Sequence, residues 1–234
     1  MGGARDNRAK ASQVVALVPM RHCSERVPGK NYRPVAGRLL YAYILETLLA
    51  CSEIELVVVN TDSPVIMDGV SRQFPSVRLI ERPAQLRGGE VPTNDVILHD
   101  LQAVPARFYL QTHSTNPLLR PETVSRAIRT FLDGYPKHDS LFSVTRLQKR
   151  LWDPQGRPIN HDPAVLLRTQ DLPPLYEENS CIYLFERECF LARRNRLGER
   201  PALFEMPADE AWDIDEELDI KIVEALLAMR RSGG

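Results

Sequence analysis

Two short apolar runs with an amphipathic stretch between them restrict the fold more than any other feature of this 234-residue chain. Val14-Val15-Ala16-Leu17-Val18 and Glu55-Leu56-Val57-Val58-Val59-Asn60 are almost wholly apolar, the pattern of strands covered on both faces. Between them, Leu40, Ile44, Leu45, Leu48 and Leu49 share one face of a helix over residues 39–51. Strand, helix and strand in that order predict a parallel sheet clothed with helices.

The rest of the chain continues the alternation. Thr61-Asp62-Ser63-Pro64 is a helix start, a capping residue followed by Pro in the first turn, and predicts a helix over 65–74. A strand over 77–80 leads through Gly88-Gly89 and Pro92-Thr93 into a helix over 94–101. A strand over 107–111 then ends in the polar turn Thr112-His113-Ser114-Thr115-Asn116-Pro117. Pro121 opens a helix over 122–132, and a strand follows over 140–145. Residues 146–178 are rich in Pro, Arg and Asp and weakly periodic, an excursion from the sheet and not a second core. The chain returns as a strand over 179–185 and closes with a helix over 216–229. Asp215 is its expected N-cap, and Leu218, Ile222, Val223 and Leu226 its expected buried stripe. The reading is a disordered tail over 1–13 and one α/β domain over 14–230, a three-layer, doubly wound, mostly parallel sheet.

Composition narrows the function. A formal net charge of −1 argues against a general nucleic-acid binder. No apolar run approaches the roughly 20 residues that span a bilayer, so no membrane partner is expected. Residues 1–13 are polar and lack the apolar centre of a secretory signal. Cys23, Cys51, Cys181 and Cys189 are scattered, which fits reduced thiols in a cytoplasm better than disulfides or a zinc site. No GxGxxG follows the first strand, which sets aside a dinucleotide-binding oxidoreductase.

Chemistry gathers in the loop after the first strand. Arg21, Arg26 and Lys30 supply positive charge, Ser24 and Asn31 neutral hydrogen bonds, and Gly29 room for close backbone approach. A cationic loop between a strand and a helix is where α/β proteins hold phosphates, although charge alone fits a solvated basic loop better. Lysines occur only at positions 10, 30, 137, 149 and 221, so Lys30 beside Gly29 stands out as a compact point charge. Far along the chain, Asp213 and Asp215 lie at i and i+2 and point the same way on an extended segment. Such a pair suits a hard divalent cation, Mg²⁺ or Mn²⁺, although spacing alone fits a helix cap beside an exposed acid better.

With these motifs in view, the chain resembles the CMP-sialic acid synthetase (acylneuraminate cytidylyltransferase) family from about Val14 to Met229. The family loop reads approximately Pro-Ala-Arg-x-x-Ser-Lys-x-x-Pro-Gly-Lys-Asn; here it is Pro19-Met20-Arg21, Ser24 and Pro28-Gly29-Lys30-Asn31. The resemblance implies a nucleotide-diphospho-sugar transferase-like fold and the coupling of CTP to an acidic 2-keto sugar, with loss of pyrophosphate. It implies that Arg21, Ser24 and Lys30 hold phosphates, and that Asn31, Arg82 and Thr93 contact the nucleotide. It also assigns Gln111 and Asn179 to the sugar and Asp213 and Asp215 to the metal, with Arg21, Lys30 and Asp215 central to catalysis. A dimerisation arm within 140–185, and hence a homodimer, is implied as well.

Departures from the family pattern are specific. His22 and Cys23 replace small residues and Glu25 replaces a lysine. The Gln-Pro-Thr-Ser-Pro turn is two residues longer, leaving room for His113 or Ser114 to share the place of Gln111. His113, His99 and His161 otherwise read as structural or solvent-facing. Glu177-Glu178 stand where sialic-acid-using members carry an arginine, and would repel an acidic sugar unless they point elsewhere. A Kdo-type cytidylyltransferase and a non-catalytic nucleotide-sugar-binding dimer are the competing expectations.

Overall fold

The computed structural model describes residues 14–232, so the expectation for residues 1–13 lies outside it. After β1 (Val14–Met20) come a small hairpin of β2 (Pro34–Val35) and β3 (Arg38–Leu39), then α1 (Leu40–Leu49), β4 (Ile54–Thr61) and α2 (Pro64–Gln73). β5 (Arg78–Glu81), α3 (Thr93–Ala103), β6 (Phe108–Gln111) and α4 (Pro121–Gly134) continue the alternation. β7 (Ser140–Leu147) and β8 (Leu175–Glu186) flank the excursion, and α5 (Arg187–Arg193), β9 (Pro201–Glu205) and α6 (Glu217–Ser232) complete the chain.

One seven-stranded sheet runs in the order β5-β4-β1-β6-β8-β7-β9. β8 alone is antiparallel to its neighbours. The apolar runs behave as their composition demands. Val14, Ala16, Val18 and Met20 of β1 pack against α1, α2 and α4 on one face, while Val15 and Leu17 meet Ile97 and Leu101 of α3 on the other. That alternation is what makes the protein three layers thick.

A third, smaller cluster matters most for function. Val27, Val35, Leu40, Tyr43, Leu118, Ile214, Ile220 and Val223 are all buried together. Val27 belongs to the cationic loop and Ile214 separates the two aspartates, so this cluster fastens those two segments to each other through α6. Ile214 also donates its N–H to the Thr115 carbonyl at 2.9 Å.

The structure corrects several sequence expectations. Asp215 does not cap α6: the Asp219 carboxylate accepts from the backbone N–H groups of Asp215 and Glu216 at 2.8 and 2.7 Å. Leu218 is 61% exposed, and Ile220 takes its place in the buried stripe. Leu49 ends α1 at the surface, because its neighbour Leu48 points inward instead. β8 starts at Leu175, well before residue 179, and α5 and β9, at 7 and 5 residues, are too short to show a clear period in the sequence. At the end of α6, Arg230 donates to the Leu118 carbonyl at 2.6 Å and to Asp209, tying the helix to the segment before α4.

Candidate active site

In this strand order the chain leaves β1 for β4 on one side and returns to β6 on the other, so the carboxyl ends of β1 and β6 flank a topological switch point. A cleft of about 570 Å³ opens there. Its lining includes Arg21, Ser24, Lys30, Asn31, Arg82, Thr93, Asp213 and Asp215, eight of the ten residues marked in the sequence. Gln111 and Asn179 do not line it.

The loop after β1 is shaped by local chemistry. Gly29 has φ +65°, a left-handed conformation, and a Cβ there would come within 2.9 Å of the Tyr32 ring. This turn starts the short helical segment Lys30–Tyr32 and aims Lys30 across the cleft. The departures from the family pattern sort into two kinds. His22 is bound into the scaffold: its N–H reaches Asp62 at 2.7 Å, its Nδ1 lies 2.8 Å from the Ser63 hydroxyl, and its ring stacks on Tyr32. Cys23 and Glu25 are exposed and line the cleft. A Cβ on Gly89 would sit 2.9 Å from Glu25 Oε1, so residues 88–91 form the opposite rim of that loop.

Arg82 is 3% exposed. It spends most of its donors on Asn60 Oδ1 at 2.8 Å, the Asn60 carbonyl at 3.0 Å and the Met20 carbonyl at 3.4 Å. Asn60 in turn donates to Asp100 Oδ1 at 2.5 Å. Burial pushes Asp100 up to about 7, against the opposing pull of Asn60 and Arg82. Arg82 is thus a buried floor for the cleft and not a mobile cation. Asn31 has a similar part, donating to the Arg21 carbonyl and accepting from Ser114 Oγ, both at 2.7 Å. It ties the β1 loop to the β6 turn.

The aspartates stand between those two segments. Asp215 accepts from Arg26 at 2.7 Å and Lys30 at 3.3 Å, and Lys30 also reaches the Ile214 carbonyl at 2.7 Å. Asp213 is bonded by the Thr115 side chain, while its Oδ1 is buried with no partner. Burial and the nearby Asp215 raise the Asp213 carboxyl above the usual range, against the pull of Thr115 and Lys30. An orphaned buried carboxylate oxygen beside a second carboxylate is a donor set that fits a hard divalent cation. Among the described residues no three His, Cys, Asp or Glu side chains converge on a metal site, so any such ion would draw its other ligands from water and substrate.

Gln111 closes the end of β6, fully buried. Its amide donates to the Thr112 carbonyl at 3.0 Å and faces His113 Nε2 at 3.1 Å, while Arg196 donates to its oxygen. His113, which the sequence assigned to structure or solvent, lines the cleft, as do Ser114 and Thr115. Asn179 is spent inside the sheet: it accepts from Ser143 Oγ at 2.5 Å and from the Cys181 N–H, and donates to Thr145 at 3.0 Å. It holds an irregularity in the β7–β8 ladder, where Ser180 takes φ +58°. Ser180, not Asn179, reaches the cleft. Glu177 and Glu178 do not line it, and Glu178 accepts from the Tyr183 hydroxyl. Arg196 sits 3.6 Å above the Tyr183 ring. Neither Ser180 nor Arg196 carried a sequence signal, since both reach their places through a bulge or a loop and not through a motif.

The chain is similar to known proteins along most of its length. The family model described as cytidylyltransferase matches residues 15–228. A CMP-N,N'-diacetyllegionaminic acid synthase from Legionella pneumophila is 29% identical over 94% of this chain and 98% of its own length. N-acylneuraminate cytidylyltransferase A from Danio rerio is 26% identical over 93% of this chain and 51% of its own length. Among solved structures, CMP:2-keto-3-deoxy-manno-octonic acid synthetase complexed with CTP superposes with a TM-score of 0.70 at 18% identity, over 93% of this chain and 99% of that one. That last likeness establishes the fold.

Proposed function

The chain belongs to the cytidylyltransferase family, and on that premise we propose that it transfers CMP from CTP to a nonulosonic 2-keto sugar acid, releasing pyrophosphate. One observation carries the reading: a single cleft at the switch point gathers Arg21, Lys30 and a pair of aspartates. The substrate class follows the legionaminic acid synthase and N-acylneuraminate cytidylyltransferase relatives.

Transfer of this kind asks the protein mainly to place the attacking hydroxyl in line with the α-phosphorus and to neutralise growing charge. The sugar's anomeric oxygen forms a bond to the α-phosphorus as the bond to the bridging oxygen breaks. Arg21 and Lys30 meet the phosphates, with Ser24 and the fixed Arg82 beside them. Asp215 and Asp213 would hold Mg²⁺, which supplies neutralisation of phosphate charge when bound. Lys30 bonds Asp215 and the Ile214 carbonyl together, so it aligns the acidic segment with the phosphate loop. The excursion after β7 exposes Trp152, Ile159, Val165 and Leu166, Leu166 by 89%, an apolar surface that a second copy of the chain would cover in a homodimer. Free Cys23, Cys51, Cys181 and Cys189 suit a reducing cytoplasm.

The test is pyrophosphate release from purified protein with CTP and Mg²⁺ over N-acetylneuraminate, deaminated neuraminate, legionaminate, pseudaminate and Kdo. Release with a nonulosonate and CTP, and none with UTP or without sugar, is the expected result. CTP binding with silence across all five acids would contradict it.

A further inference from the structure

The hydrogen bonds around Gln111 leave one arrangement of protons. A guanidinium only donates, so the oxygen of the Gln111 amide must face Arg196. The amide nitrogen therefore points the other way, with one hydrogen on the Thr112 carbonyl and the second on His113 Nε2. Flipping the amide would set its oxygen against the Thr112 carbonyl and its NH₂ against a cation. With Nε2 accepting, the ring proton of His113 sits on Nδ1. No group among the described residues pairs with Nδ1, and His113 lines the cleft beside Ser114, Thr115 and Asp213. Arg196 is itself pinned over Tyr183 at 3.6 Å, so the chain of bonds starts from a fixed charge.

Building on the proposed reaction, the geometry points to His113 as a neutral, pre-set hydrogen-bond donor that binds the carboxylate of the sugar acid, with Gln111 and Arg196 as the residues that position it. Three observations select that ligand. A neutral Nδ1–H donates but cannot accept, so its partner is an acceptor oxygen. The aligned bonds from Arg196 through Gln111 polarise one another and present their positive end to the cleft, which favours an anionic oxygen. Arg21 stands at the phosphate end of the cleft, while Lys30, the lining cation that acts on His113, is already bonded to Asp215 and the Ile214 carbonyl, so the His113 Nδ1–H is an unspent donor at the β6 end, beside Ser180, Thr115 and Asp213. The titratable and charged groups that act on His113 are Arg196, Lys30 and Asp215; burial is the largest influence and, with the two cations, holds the ring neutral at pH 7. The same arrangement answers the problem raised by Glu177-Glu178: they lie off the cleft, and the charge complement comes from the β6 side instead.

Two measurements test this. In protein carrying ¹⁵N-labelled histidine, five ring systems are present and His113→Asn identifies the resonances that belong to His113. The expected spectrum near pH 7 shows His113 as the Nδ1–H tautomer, shifting toward a tautomer mixture in Arg196→Met. An Nε2–H tautomer or an imidazolium in the wild type would overturn the proposal. In the pyrophosphate assay with the preferred acid, His113→Ala should raise KM for the acid by roughly ten- to a hundred-fold and leave KM for CTP in place. His113→Asn, whose amide nitrogen can occupy the position of Nδ1, should recover much of the loss. An unchanged KM for the acid, or a rise confined to CTP, would overturn the proposal while the reaction itself stands. Silence of the wild type with every acid would instead bring down the reaction, and the sugar-carboxylate assignment with it.

Discussion

The cleft has two unlike walls. The loop after β1 offers Arg21, Cys23, Glu25 and Arg26 at the surface, fastened mainly by Val27, His22 and Asn31. The turn after β6 is buried from Gln111 through Pro117 except at His113, with Gln111 bonded to Arg196 and the Thr112 carbonyl and Ser114 to Asn31. Phosphates need charge that can adjust as bonds form and break, and a loop of long cationic side chains supplies it. Discriminating one sugar acid from another needs fixed donors and acceptors, and a buried turn supplies those at little cost in ordering on binding. The aspartates belong to neither wall. Asp215 is paired with the loop and Asp213 with Thr115 of the turn, so the acidic segment joins the two.

Breaking that join should have the largest effect. Asp215→Ala is expected to lower kcat/KM by about a thousand-fold. Because Asp219 carries the cap, unfolding should stay within about 0.5 kcal/mol of wild type, and a denaturant titration checks that half. Turnover within tenfold of wild type would contradict the role given to Asp215. Next comes the loop wall: Lys30→Ala should cost about a hundred-fold in kcat/KM, and Lys30→Arg should fail to restore it, since a planar fork cannot replace a compact ammonium between Asp215 and the Ile214 carbonyl.

Beneath the loop wall, Asp100 gives a pH signature. The folded protein holds its carboxyl near 7, whereas the unfolded chain ionises it near about 3.9. The folded state therefore binds this proton more tightly, and stability owed to the group is present at low pH and falls as pH rises from about 4 to 7. Asp100→Asn keeps the acceptor for Asn60 and removes the titration. Its melting temperature, measured relative to wild type, should improve by a few degrees between pH 5 and pH 8.5. A pH-independent difference would contradict the assignment. The smallest effect is reserved for a residue outside both walls: Leu218→Ala should change stability by less than about 0.5 kcal/mol, because the side chain stands in solvent.

What the sequence disclosed follows the same division. The β1 and β4 runs, the Ser63-Pro64 helix start and the Pro19–Asn31 loop are local patterns, and each appears where its composition placed it. Ser63 does cap α2, accepting from the Ile66 N–H at 3.4 Å. Contacts made between distant segments were not legible. Nothing local says that Ile214 would be buried beside Val27, that Asp219 would take the cap from Asp215, or that Arg196 would return to Gln111 across 85 residues of chain. Asn179 owes its sugar-site assignment to the family resemblance; the β7–β8 irregularity turns Ser180 to the cleft beside it, and a bulge in a strand leaves no periodic trace.

The most direct test of the account is product identification by mass spectrometry after incubating the protein with CTP, Mg²⁺ and N,N'-diacetyllegionaminate or N-acetylneuraminate, beside Asp215→Ala. The account predicts a CMP-sugar of the summed mass less pyrophosphate with the wild type and none with the variant. CTP recovered intact with both acids, from protein shown to bind it, would contradict the central claim and leave a nucleotide-binding protein that performs no transfer.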